Sequence, residues 1–147
     1  MIATLDDTTG TGGASARPRS TRTLLIACGA LAREFMAIRN ANGWDHFDIA
    51  CLPAILHNRP AEIPEAVRRR IRRARPLYES ILCLYGDCGT GGRLDAMLAE
   101  EQVERIEGAH CYAFHAGPEA FAAMMEEEAG SFFLTDYLVP HRTYRQP

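Results

Sequence analysis

The sequence predicts an α/β fold, because short apolar runs that fit buried strands alternate with segments that carry one apolar face at helical spacing. The apolar runs lead into loops rich in glycine or proline and then into helices, the pattern of a parallel sheet with right-handed crossovers. At 147 residues, 47% of them hydrophobic, the chain can bury a single core. We therefore expect one Rossmann-like three-layer domain with a mostly parallel sheet of about four to five strands.

The amino-terminal segment differs in composition from the rest of the chain. Residues 1–22 contain glycine, serine, threonine and proline and show no apolar period. We predict that residues 1–22 form a disordered leader, followed by an α/β domain over residues 23–147.

Two strand-helix units are predicted first. An apolar run at 23–27 fits a buried strand and precedes a helix over 30–40; a second strand at 48–52 leads through a proline-rich loop to a helix that Pro64 begins and that ends near residue 75. The apolar spacing places Leu31, Phe35 and Ile38 on the inner face of the first helix, and Val67, Ile71, Ala74 and Tyr78 on that of the second.

The second half continues the alternation. A strand at 80–84 runs into a glycine-rich loop and a helix over 93–101, and a further strand is predicted at 103–107. Pro118 begins another helix that carries Phe121, Met124 and Met125. The apolar segment 131–138 fits either a strand or a packed helix, and its periodicity does not distinguish them.

Charge and hydropathy exclude several function classes. The formal net charge of −3 argues for neither nucleic acid nor a membrane surface, and no apolar run is long enough for a membrane span. With no secretory signal pattern, a cytoplasmic location is expected. An arginine cluster lacks neighbouring stacking aromatics, so we interpret it as a solvated helix face without a nucleic-acid partner. Its members are Arg68, Arg69, Arg70, Arg72, Arg73 and Arg75.

Four potential ligands for a soft metal each follow a different predicted strand: Cys28, His57, Cys88 and Cys111. Because the carboxyl ends of parallel strands meet at one edge of a sheet, these side chains are expected to converge. Three thiolates and an imidazole form a tetrahedral set suited to zinc, or to iron or an iron-sulfur cluster. His110 is an alternative nitrogen ligand, although it neighbours Cys111 and is expected to point away from it.

Other interpretations of the cysteines and glycines stay open. Cys88 precedes a helix, which should lower its thiol pKa, so it is also a candidate nucleophile with His57 as its base in a metal-free enzyme. Cys51 and Cys83 lie within apolar strands and are predicted to be core residues. Gly86, Gly89 and the adjacent Tyr85 are candidate cofactor-binding residues, because such a loop can offer backbone amides to an anion. The spacing matches neither the P-loop nor the dinucleotide fingerprint.

Five motifs stand out along the chain, at 27–31, 52–60, 85–89, 110–112 and 133–136. Together they resemble the prokaryotic family called domain of unknown function 1638. The resemblance extends from Thr23 to Leu138 and implies a small α/β protein that accompanies corrinoid-dependent methyltransferase systems acting on methylamines. Its partners would be a corrinoid protein or a methyltransferase, and corrinoid itself would be bound only by the partner. Members usually continue beyond Pro147, so we expect a domain shortened at its carboxyl end.

Joined to the chemistry of the residues, the resemblance implies a zinc-binding protein that is an accessory or catalytic component of corrinoid-linked methyl transfer. A catalytic site would use three ligands, Cys28, Cys88 and Cys111, with His57 as fourth ligand or acid-base group; a fully closed site would favour a structural or carrier role. Tyr85, Asp87 and Asp136 would support the ligands through hydrogen bonds. The alternatives are the metal-free thiol enzyme and a non-catalytic binding module, and the sequence predicts neither oligomeric state nor substrate.

Overall fold

The computed structural model describes residues 20–128 and residue 130. Within this part, four strands form an all-parallel sheet in the order β2-β1-β3-β4. The strands are β1 (Ser20–Cys28), β2 (Phe47–Leu52), β3 (Tyr78–Leu84) and β4 (Glu104–Arg105). The helices are α1 (Ala32–Ala41), α2 (Ile63–Ala74), α3 (Arg93–Glu100), α4 (Ala113–Ala116) and α5 (Pro118–Glu127), with short 3-10 turns at Gly29–Leu31, Ala54–Asn58 and Pro60–Glu62.

This architecture confirms the predicted Rossmann-like α/β fold with a parallel sheet, and most element boundaries agree within two residues. β1 begins at Ser20, earlier than the predicted Thr23, and β4 spans two residues where five were predicted. Just beyond β4, the Arg105 side chain binds the backbone carbonyls of Ile106 and Gly108, at 2.9 and 3.3 Å. The predictions for residues 1–19, for 131–138 and for Asp136 lie outside the described residues.

Side chains alternate between the two faces of the sheet and build two core layers. Ile26 and Cys28 point to the face that α2 and α3 cover, whereas Leu25 and Ala27 point to the face that α1 covers. Val67 and Ile71 are fully buried between α2 and the first face, as predicted. The layer below α2 and α3 is therefore the one into which the last residue of β1, Cys28, projects.

Three predictions about the core were wrong. Tyr78 was expected on the inner face of the second helix but begins β3. Ile38 is 50% exposed, and its neighbour Arg39 takes the inward position, where its Nε donates to the carbonyl of Phe47 at 2.9 Å.

Cys51 was predicted to be a core residue but is exposed on β2, an edge strand of the described sheet. Cys83, on the inner strand β3, is buried as predicted.

The arginines of α2 contact acidic residues at the end of α3. Arg72 and Arg75 bind the Glu101 carboxylate, which is 7% exposed, and Arg68 binds Glu100 at 2.8 Å. Burial tends to raise the pKa of Glu101, but the two guanidinium groups outweigh burial and lower it. These ion pairs join α2 to α3 on the solvent side of the core. Among the described helices, none is long and apolar enough to cross a membrane.

Candidate metal centre

Three of the four predicted ligands meet at the carboxyl edge of the sheet. The ligand atoms of Cys28, His57 and Cys111 all lie within 4.8 Å of one another. Cys28 ends β1, His57 lies in the 3-10 turn after β2, and Cys111 lies beyond β4. Convergence at this edge is what parallel strands produce, so residues 83 positions apart in sequence form one cluster.

Cys88 lies beside this cluster and not fully within it. Its Sγ is 3.1 Å from the Sγ of Cys111, at hydrogen-bonding distance, and the sulfur also interacts with His57. Cys28, Cys88 and Cys111 are all buried, with at most 5% of their surface exposed, whereas His57 is half-buried. The geometry therefore distinguishes a compact group of three from a fourth thiol at its side.

Two glycines allow the strand ends to approach closely enough for this cluster. A Cβ at Gly86 would lie 2.6 Å from the carbonyl carbon of His110 and 2.8 Å from the nitrogen of Cys111. A Cβ at Gly29 would lie 2.7 Å from the carbonyl oxygen of Leu52. Any side chain at these two positions would clash with the neighbouring backbone. Close backbone packing therefore requires glycine next to Cys28, at Gly29, and two residues before Cys88, at Gly86.

The loop after β3 is fixed to the loop after β4. The amides of Asp87 and Cys88 donate to the carbonyls of Gly108 and Ala109 at 2.9 and 3.0 Å. Cys88 has a φ of 49°, a left-handed conformation that is rare for a residue with a side chain and that is often found at functional sites. This backbone geometry turns the Cys88 side chain toward Cys111.

The backbone amides of the glycine-rich loop bind a carboxylate of the loop itself, where the sequence had suggested an external anion. Asp87 accepts hydrogen bonds from the amides of Gly91 and Gly92, at 3.0 and 2.9 Å, and from the Thr90 hydroxyl. The Thr90 contact is the main reason that the pKa of Asp87 is lowered. Gly89 lies against the ring of Pro60. Cofactor binding by Gly86 and Gly89 stays a prediction, but the described contacts of this loop are internal ones.

His57 is the imidazole of the cluster, and His110 is at its rim. The Nδ1 of His57 lies 3.0 Å from the carbonyl oxygen of Ala54, and donation from this nitrogen leaves Nε2 to face a ligand. His110 instead accepts a hydrogen bond at Nδ1 from the amide of Tyr112, and its ring centre is 6.2 Å from that of His57.

Contacts within the cluster shift the pKa values of its own thiols and imidazole. Hydrogen bonding from Cys111, together with His57, lowers the pKa of Cys28 to about 5 and that of Cys88 to about 4, against burial. Cys28 first, and then Cys88, raise the pKa of His57 to about 10. The pKa of Cys111 is raised, because its proton is held between Cys28 and Cys88. At neutral pH the metal-free cluster therefore contains two thiolates, one thiol and an imidazolium.

We expect the metal-free protein to show the ultraviolet absorbance of thiolate at neutral pH and to lose it only as the pH falls through about 5 and about 4. Because both values lie below the ordinary 9.0, the thiolates stabilise the fold above pH 9.0, and this contribution is lost as the pH falls through the folded values. Cys83 contributes no absorbance at neutral pH, since burial raises its pKa to about 12. Absorbance that first appears near pH 9 would contradict the predicted polarisation.

The sequence did not reveal the role of Arg105. Its guanidinium pairs with Asp95 and binds the carbonyls of Tyr85, Ile106 and Gly108, so it fastens the loops that carry Cys88 and Cys111. Nothing in its sequence surroundings distinguishes it from the other fifteen arginines of the chain.

A family model described as a protein of unknown function, DUF1638, matches residues 51–146, which is more than half of the chain. The chain belongs to this family. The matched range includes His57, Cys88 and Cys111 of this chain, and Cys28 precedes it. No curated protein and no solved structure matches the chain.

Proposed function

We propose that this DUF1638 protein binds zinc through Cys28, His57 and Cys111 and uses the metal in thiol or methyl transfer. The observation that carries the proposal is the mutual approach, within 4.8 Å, of two thiols and an imidazole from three separate segments of the chain. Around a tetrahedral zinc such donors are about 3.5–3.8 Å apart, so a small contraction of the cluster would satisfy the metal.

The chemistry of the donors supports zinc over harder metals. Sulfur and imidazole nitrogen are the ligands that zinc prefers, whereas magnesium and calcium need oxygen. The polarised thiols are ready to bind, because Cys28 is already a thiolate at neutral pH. Bound metal would displace the protons of Cys111 and His57, so binding should release protons. Iron is the competing soft metal, and it fits the same donors.

Three ligands with a fourth thiol beside them suit a catalytic centre more than a structural one, since catalytic zinc keeps an open coordination position. Cys88 lies next to that position, 3.1 Å from Cys111, as a reactive thiol or an exchangeable fourth ligand. Zinc in such a setting lowers the pKa of a thiol that binds to it. The burial of the cysteines would exclude water from the sulfur during transfer.

The reaction that we propose for this centre is a methyl transfer linked to a corrinoid. The motifs of the chain resemble proteins that accompany corrinoid methyltransferase systems, and a zinc-thiolate centre is suited to presenting a thiol sulfur to a methyl group. We therefore place the protein in corrinoid-linked methyl transfer, as an accessory or catalytic component. A corrinoid protein or methyltransferase would be its partner and would supply the corrinoid.

Elemental analysis of protein purified without oxygen tests the metal. We expect about one zinc per chain and no visible absorption, as for other structural or catalytic zinc sites. Iron with visible absorption would indicate an iron-sulfur cluster with an electron-transfer role and would contradict transfer chemistry at zinc. Folded protein without metal would overturn the proposal.

One observation favours a second candidate, a thiol enzyme that needs no metal. The pKa of Cys88 is lowered to about 4, chiefly by Cys111 and also by His57, which is the setting of a nucleophilic thiolate. In metal-free protein, this candidate requires that iodoacetamide modify Cys88 before Cys28. It leaves the proximity of Cys28 to His57 and Cys111 without a function.

A further inference from the structure

The buried hydroxyl of Tyr85 has no hydrogen-bond partner among the described residues, sulfur atoms included. Tyr85 is fully buried. A phenolic hydroxyl that leaves water without gaining a partner destabilises the folded state, so such groups in native proteins are usually satisfied by a bound water, ion or ligand. The hydroxyl therefore indicates an atom that belongs next to it and that the chain itself does not supply.

Tyr85 lies beside the residues of the proposed metal centre. Tyr85 follows β3 and belongs to the same core layer as Cys28, Cys88 and Cys111. Its ring lies nearly parallel to that of His57, with the ring centres 6.3 Å apart. The Tyr85 hydroxyl forms no direct hydrogen bond with these residues or with any other described residue.

We infer that the Tyr85 hydroxyl donates a hydrogen bond to a small exogenous ligand that occupies the open position of the metal centre through an anionic donor atom. This inference rests on the proposed function, because it needs the metal. It assigns Tyr85 a positioning role: the residue does not hold the metal, but it selects and orients what binds to the metal.

The class of ligand follows from the donor. A phenol is protonated at neutral pH and offers one O–H, which forms its strongest hydrogen bonds with anionic acceptors. Zinc with two thiolates and a neutral imidazole is formally uncharged, so the centre can accept an anion without accumulating a large net charge. A small thiolate or oxyanion satisfies both conditions, whereas an ammonium group, which has no lone pair, satisfies neither.

Cobalt-loaded protein and azide as a small anionic probe test the inference. Cobalt(II) takes zinc's place, and its visible spectrum changes when an anion joins the coordination shell. Wild-type protein, Tyr85→Phe and Tyr78→Phe would each be loaded and titrated with azide. Tyr78 is the matched control, since its hydroxyl lies at the opposite end of β3 and donates to Asp48 at 3.2 Å. We expect equal cobalt per chain in all three and about tenfold weaker azide binding in Tyr85→Phe alone.

The outcomes separate this inference from the proposed function. Equal azide affinity in Tyr85→Phe and wild type, with full cobalt in both, would overturn the role of Tyr85 and leave the metal centre intact. Absence of cobalt from wild type would overturn both. As a second readout, metal-free Tyr85→Phe should unfold in urea at a midpoint equal to or above that of wild type, because it loses only an unsatisfied oxygen; a lower midpoint would show that the hydroxyl already has a partner and would overturn the inference.

Discussion

Replacing Cys111 with serine is expected to lower zinc affinity by at least about 100-fold, more than the loss usually caused by changing a supporting residue of a metal site. Cys111 is the centre of the cluster: it belongs to the group of three ligands and also lies 3.1 Å from Cys88. A hydroxyl is a poor substitute for a thiolate as a zinc ligand. Competition with a chromophoric chelator measures the affinity directly.

The other cysteines supply graded comparisons. Cys28→Ser should lose affinity to a similar extent, because Cys28 is within the group of three. Cys88→Ser should retain stoichiometric zinc with a smaller loss, and Cys51→Ser is the neutral control, since Cys51 is exposed. If Cys88→Ser lost zinc as completely as Cys111→Ser, the site would be closed by four protein ligands, and the open position would not exist.

Gly86→Ala is expected to weaken both the fold and the metal site. The added Cβ would lie 2.6 Å from the carbonyl carbon of His110 and 2.8 Å from the amide nitrogen of Cys111. Both are backbone atoms, so the clash can be relieved only by moving the loop that carries Cys111. Overpacking of this kind destabilises proteins by about 1–3 kcal/mol. Urea unfolding of the metal-free protein, followed by zinc competition, measures the two effects.

Gly130→Ala is the matched control, because a Cβ at Gly130 meets no atom of the described residues within 4 Å. It should leave the unfolding midpoint and the zinc affinity unchanged. Gly86→Ala with normal stability and normal zinc affinity would show that the two loops need not be in close contact, and that the positions of Cys88 and Cys111 are not determined by their packing.

The sequence was sufficient to predict which loops would carry the site. Apolar runs such as 23–27 define parallel strands, and parallel strands place whatever follows them at a common edge, so the proximity of Cys28 to Cys111 could be expected from topology alone. The sequence left His57 and His110 as alternative nitrogen ligands, and the structure brings His57 close to Cys28 and Cys111. The predicted convergence of the loops depends only on the order of elements.

Finer features depend on contacts that no local pattern encodes. The left-handed φ of Cys88 comes from the pairing of its loop with residues 108–109. The amides of Gly91 and Gly92 donate to the Asp87 carboxylate. The spacing of the glycines in the sequence does not distinguish this internal contact from a site for a bound anion. Likewise, Ile38 is exposed because Arg39 takes the inward position to reach a carbonyl on β2. Each outcome is decided by a specific hydrogen bond that apolar periodicity and residue spacing do not reveal.

X-ray absorption spectroscopy of zinc-loaded protein tests the central claim most directly, because it reports the atoms that surround the metal. We predict about two sulfur neighbours at about 2.3 Å and about one imidazole nitrogen at about 2.0 Å, with one further position filled by Cys88 or by a small ligand. A shell made only of nitrogen and oxygen would place the zinc away from Cys28 and Cys111 and would contradict the proposed centre.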